Sequence, residues 1–308
     1  MSVQSSAIGP SPVVISQRPG LAWGLVGVTA FSFTVPFTRY ATGDGLSPLF
    51  VGAGRAVVAA ALAAVVLAVT RQRLPAARQW LRLAVVAGGV VAGFPLLTAY
   101  ALEEAPAAHG AVVIGLLPAA TAVMGVLRGR ERVPGAFWAF AALGAAAVGA
   151  FAAVQNGGLG VLHRADLLLF AAVLAAAVGY AEGGLLAREL GAWQTVSWAL
   201  LLAAPLMTVL TGASVAQAAP SGTALQWLAF AYLSAVSMYL GFFAWYRGLA
   251  IGPITQVSQV QLVQPVLSIL WAALLLHEQL SAATAAGGLA VVACARSAVR
   301  TRQNRRSS

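Results

Sequence analysis

Three sets of polar residues stand inside long apolar stretches, where polar groups are costly and could carry chemistry. They are Arg55, Glu182, and the run Thr255, Gln256, Ser258, Gln259, Gln261 and Gln264 just ahead of Pro265. A carboxylate at the centre of a membrane helix costs about 2.5–3.5 kcal/mol on insertion scales, so Glu182 must face a cavity or a partner. There it can carry a proton, hold a cationic group of a substrate, or hydrogen-bond neighbouring helices and only fix their packing. The planar fork of Arg55 suits bidentate contact with a substrate carboxylate, or a structural ion pair with a carboxylate such as Glu103 or Glu104. In a helix Gln256 and Gln259 share one face, as do Gln261 and Gln264. So many amides in one apolar stretch must look at other helices or line a cavity.

Aromatic and proline residues complete the list. Tyr180 and Trp245 lie deep in their apolar stretches and Tyr100 lies nearer an end; each can stack on a ligand or simply pack. A proline within a helix leaves the carbonyl four residues back without its amide, so Pro118 frees Ile114 and Pro265 frees Gln261. The result is a kink, a polar site, or both.

Other chemistry is poorly provided for. His109, His163 and His277 stand at expected helix ends or loops, without metal-ligand spacing, so no metal site is expected. Glu103, Glu104 and His109 form the one acidic cluster, read as an external loop. Gly157, Gly158 and Gly160 are not followed by Gly-Lys-Ser/Thr, and no Ser lies in a Gly-x-Ser-x-Gly turn. No cofactor is expected, no ATPase partner is implied, and an enzyme is the weaker reading.

The elements that would hold these groups follow from composition. Of 308 residues, 60% are hydrophobic and 8% charged, against about 25% charged in an ordinary soluble domain. Such a chain belongs in a membrane, with lipid as its surroundings. A spanning helix needs about 20 apolar residues. The chain divides into ten candidate spans, at roughly 21–40, 46–70, 80–102, 107–127, 135–154, 166–187, 193–213, 224–247, 253–276 and 281–299. Residues 1–19 read as a disordered tail and 300–308 as a basic cytoplasmic tail. With both termini inside, fifteen of the 18 Arg fall on the cytoplasmic side, and only Arg39 and Arg164 fall outside. That bias sets the orientation, and it leaves no basic face for nucleic acid. The single cysteine, Cys294, removes any disulfide framework.

Shifting the chain by 147 positions aligns Trp80 with Trp227, Leu102 with Leu249, Pro106 with Pro253, Pro118 with Pro265 and Glu131 with Glu278. This reads as a duplication into repeats at 20–155 and 165–299. Five spans per repeat is an odd number, so the second copy must enter from the opposite side. The expected fold class is an all-α integral membrane protein, its ten transmembrane helices forming two inverted five-helix repeats. Such repeats can exchange conformations and open a central site alternately to each side. Glu131 and Glu278 each precede the last helix of a repeat and are expected to cap backbone amides there.

The stretch Trp227–Ala295 also resembles the second repeat of the EamA-type drug/metabolite transporter superfamily. It has an aromatic-rich span ending in Gly252-Pro253, Pro265 midway along the next span, and Glu278 opening the final hairpin. The first repeat shows the same order in PLLTAYALEEAPAAHGAVVIGLLPAATAVMGVLRGRE, and LSPLFVGAGR resembles the family's second span. The resemblance implies a multi-pass protein of the bacterial cytoplasmic (inner) membrane that exports small molecules; protons as a candidate coupling partner follow from Glu182. Relatives export amino acids, other metabolites and toxic cations. Amino acids or related compounds are the first expectation here; lipophilic cations with Glu182 as counter-ion, or a non-transporting scaffold, are the alternatives.

Overall fold

The computed structural model describes residues 17–42, 45–129 and 163–282, with scattered positions in 135–150 and 284–293. The described residues form helices joined by short links, and eight of the helices are long and apolar enough to cross a membrane. They are α1 (Pro19–Thr42), α2 (Pro48–Val69), α3 (Ala77–Glu104), α4 (Ala107–Gly129), α5 (Arg164–Leu190), α6 (Ala192–Gln217), α7 (Ala224–Ile251) and α8 (Ile254–Leu276). The expected spans at 135–154 and 281–299 lie largely outside the described residues. The helical turn that leads into α1 already starts at Gln17.

Helix ends follow local chemistry. The Ser47 hydroxyl accepts from the Phe50 amide at 3.2 Å with Pro48 in the first turn, so α2 starts with its amides satisfied. Thr223 and Gln226 form a reciprocal cap on α7, at 3.3 and 2.8 Å. Between α5 and α6 stands Gly191 alone, with φ +98°, a conformation that only glycine adopts without strain.

Among the described spans α1 is interrupted at Phe33, and four others are interrupted at depths that correspond between the halves. α3 carries a π-helical segment at Ala87–Gly93, where Gly88, Gly89, Gly93 and Pro95 weaken the ordinary ladder, and α7 carries one at Leu233–Leu240. α4 breaks after Ile114, just before Pro118. α8 passes through a 3₁₀ segment at Ser258–Leu262 just before Pro265. The bounds of α3 and α4, moved by 147, are those of α7 and α8.

α2 packs along α6, α1 along α7, and α5 against α3, α4 and α7. Small residues let these helices approach closely, since lipid supplies no hydrophobic drive for helix association. A Cβ on Gly27 would lie 3.0 Å from the Trp245 amide nitrogen, and one on Gly89 only 2.3 Å from the Ala175 carbonyl oxygen. The resulting core is continuous from Val28 on α1 through Trp245 and Tyr246 on α7.

Candidate functional site

Arg55 projects from α2 into the middle of the bundle. Gly52 and Gly54 flank its turn and meet Leu96 and Phe230, so α2 sits close enough to carry the guanidinium inward. The side chain is 1% exposed, and its Nε, Nη1 and Nη2 have no hydrogen-bond partner. A narrow cavity opens beside it, with room for little more than a water molecule in this conformation. Its walls are Phe31 and Thr34 of α1, Val90 and Phe94 of α3, Tyr180 of α5, Ser237, Met238 and Phe242 of α7, and Gln264 of α8. Thr34 and Ser237 share a hydrogen bond of 2.7 Å across α1 and α7. Behind them the Tyr180 ring lies 5.9 Å from Phe242 and 5.4 Å from Trp245. Trp245 is fully buried and its indole N–H has no acceptor.

Gln264 also borders a second cavity, between α1, α4 and α8, where Pro118 and Pro265 both contribute to the wall with Gln261 and Ser268. Gln261 is 1% exposed and both polar atoms of its amide lack partners. Arg55, Tyr180, Gln261, Pro118 and Pro265 are thus drawn together around two adjoining spaces. Gln256, Gln259 and Tyr100 are half-buried and border neither; Gln259 reaches only Ser258, at 3.5 Å.

Glu182 is elsewhere. Its carboxylate, 1% exposed, accepts from Arg82 Nε and from Arg128 Nε at 3.0 Å, while Arg82 also binds Glu189. This cluster lies at the end of the bundle that holds Arg71, Arg78 and Arg188. At the opposite end His109 Nε2 meets Asp166 Oδ1 at 2.8 Å, with His109 7% and Asp166 1% exposed. The other Asp166 oxygen accepts from the His163 amide at 3.0 Å.

Three expectations change. Arg55 pairs with neither Glu103 nor Glu104: Glu104 binds Arg164 at 3.2 Å, and Glu103 is exposed. His109 is a buried partner of Asp166, because α4 begins two residues before it and turns it inward. Glu278 does cap amides, but those of Ala107 and Ala108 at the start of α4, at 2.8 and 2.9 Å. It therefore ties the end of α8 to the other half of the chain. Glu131 lies outside the described residues. Among the described residues no three His, Cys, Asp or Glu side chains converge as metal ligands would.

The profile of the EamA-like transporter family matches residues 18–152 and again 163–296. The chain belongs to that family. It is 46% identical over 277 residues to the "Uncharacterized transporter YdeK" of Bacillus subtilis (strain 168), covering 90% of this chain and 96% of the relative. A solved crystal structure, 20% identical, matches with a TM-score of 0.69 over 94% of this chain and 99% of that one, a likeness of fold. This EamA-like transporter is a multi-pass membrane protein with two family repeats, the halves in which the interrupted helices correspond. Sequence reasoning on the EamA-like transporter missed Thr34, Ser237 and Phe242, since single hydroxyls and phenylalanines in apolar helices carry no signal of their own.

Proposed function

We propose that this membrane transporter is a secondary exporter in which Arg55 receives the carboxylate of a small organic substrate, the class that includes amino acids and related compounds. The observation that carries this is the buried, unpartnered guanidinium bordering a cavity. A buried charge without a partner is strongly destabilising, so a chain that keeps one must gain from it when an anion arrives. Outward direction rests on the family resemblance. The lipophilic-cation reading loses its counter-ion, because Glu182 is engaged by two guanidinia and borders neither cavity.

Alternating access would run through two closures. Glu182 with Arg82 and Arg128 closes the arginine-rich end, placed in the cytoplasm by the positive-inside bias. The Glu278 cap on α4 closes the opposite end. Support for inverted five-helix repeats comes from the 147-residue correspondence and the odd number of expected spans, and support for a bacterial cytoplasmic membrane comes from the Bacillus subtilis relative. The candidate for proton coupling in this reading is the His109–Asp166 pair, whose side chains share a buried contact of 2.8 Å, and not Glu182, which two guanidinia engage. Substrate counterflow in proteoliposomes tests the site: Arg55→Gln should abolish it and Arg55→Lys should retain part. Unchanged counterflow with Arg55→Gln would remove the proposal.

A further inference from the structure

The charge inventory around Arg55 narrows the substrate. The sequence holds eight acidic residues. Asp44 and Glu131 lie outside the described residues. The six described ones stand toward the two ends of the bundle: Glu182 and Glu189 with arginines at one, and Glu103, Glu104, Asp166 and Glu278 at the other. None borders the cavity at Arg55, whose polar groups besides the guanidinium are the hydroxyls of Thr34, Tyr180 and Ser237 and the amide of Gln264. Phe242 and Phe94 offer apolar surface.

Building on the carboxylate reading above, we infer that the site takes an organic monoanion with no ammonium beside its carboxylate, in preference to the zwitterionic amino acid of the same shape. The carboxylate of such a ligand neutralises Arg55 and leaves the cavity uncharged. An α-amino acid brings a second positive group within a few ångströms of the guanidinium. That ammonium must leave water, and among the described residues no side-chain carboxylate borders the cavity to meet it. Hydroxyls and an amide oxygen can accept from an ammonium but do not balance its charge. A hydroxyl or keto oxygen at the same carbon is served by Thr34, Ser237 or Gln264 without any net charge, and the rings of Phe94 and Phe242 suit an aromatic or branched apolar body.

The test is a matched set of ligands on one phenyl scaffold: 3-phenyllactate, phenylalanine and phenethylamine, with hydroxyl plus carboxylate, ammonium plus carboxylate, and ammonium alone. Affinities are read from intrinsic tryptophan fluorescence and ligand-dependent thermal stability of the purified full chain and of Arg55→Gln. The expected result is that phenyllactate binds at least tenfold more tightly than phenylalanine, that phenethylamine does not bind, and that Arg55→Gln stays folded while losing the phenyllactate response. Equal or tighter binding of phenylalanine, dependent on Arg55, overturns the inference and leaves the carboxylate reading intact. Binding led by phenethylamine, or phenyllactate binding undiminished in Arg55→Gln, overturns both. Failure of all three ligands to bind overturns the inference, while the counterflow experiment still decides the role of Arg55.

Discussion

Replacing Glu182 by Gln should loosen the arginine-rich end of the bundle. The carboxylate is 1% exposed and holds two guanidinia on different helices, Arg82 on α3 and Arg128 on α4, against α5. Removing one partner of a fully buried ion pair costs about 3–5 kcal/mol. Here the Arg82 and Arg128 side chains are 27% and 51% exposed, so water recovers part of their hydration, and about 1–3 kcal/mol is the reasonable loss, equivalent to a shift of about 5–150-fold between closed and open forms. The loss falls on the closed form alone if the three side chains separate when that end opens. The readout is a cysteine at Ser237, which borders the cavity, in a Cys294→Ser background that removes the one native thiol. A membrane-impermeant maleimide applied from the arginine-rich side should label it at least fivefold faster when Glu182→Gln is added. It should label more slowly from the other side. An unchanged rate in a folded variant, or faster labelling from the opposite side, would refute the closure.

Three further outcomes are expected. Arg55→Met should raise thermal stability by about 1–4 kcal/mol while abolishing transport, because an apolar side chain of similar volume replaces an unpartnered charge; a lower melting temperature would reveal a hidden partner. Glu278→Gln keeps one acceptor oxygen and loses the other with its charge, a cost of about 1.5–3 kcal/mol, and maleimide labelling at position 237 should quicken from the end opposite the arginines. If protons drive transport through the His109–Asp166 pair, Asp166→Asn should flatten the pH profile of uptake, whereas Glu182→Gln should leave its shape intact; the reverse pattern would return coupling to Glu182.

Much of the scaffold could be read from the chain. Expected and observed helices overlap for all eight described spans, because long apolar runs separated by Pro, Gly and Arg carry a strong signal. The offset of 147 found at Trp80, Pro106 and Pro118 extends to helix bounds. The site was legible where a residue type was costly, as at Arg55 and Gln261. Partnerships were not, because they join distant positions: Glu182 to Arg128 across 54 residues, and His109 to Asp166 across 57. The glutamine run divides for a local reason: a helix turns about 100–120° per residue, so the pair Gln261 and Gln264 faces away from the pair Gln256 and Gln259, and of the four only Gln261 and Gln264 border the cavities.

A carrier that opens first to one side and then to the other must not become a wire for small ions. The lone guanidinium of Arg55 stands in the interior while the described carboxylates are held toward the ends. Sodium, potassium or a hydrated proton entering from either mouth would meet a positive charge that no described carboxylate offsets, an electrostatic barrier of the kind that excludes cations from selective pores. If Arg55 receives an anion as proposed, the same side chain would also guard the membrane potential, and a variant lacking it would be expected to leak cations as well as lose its substrate.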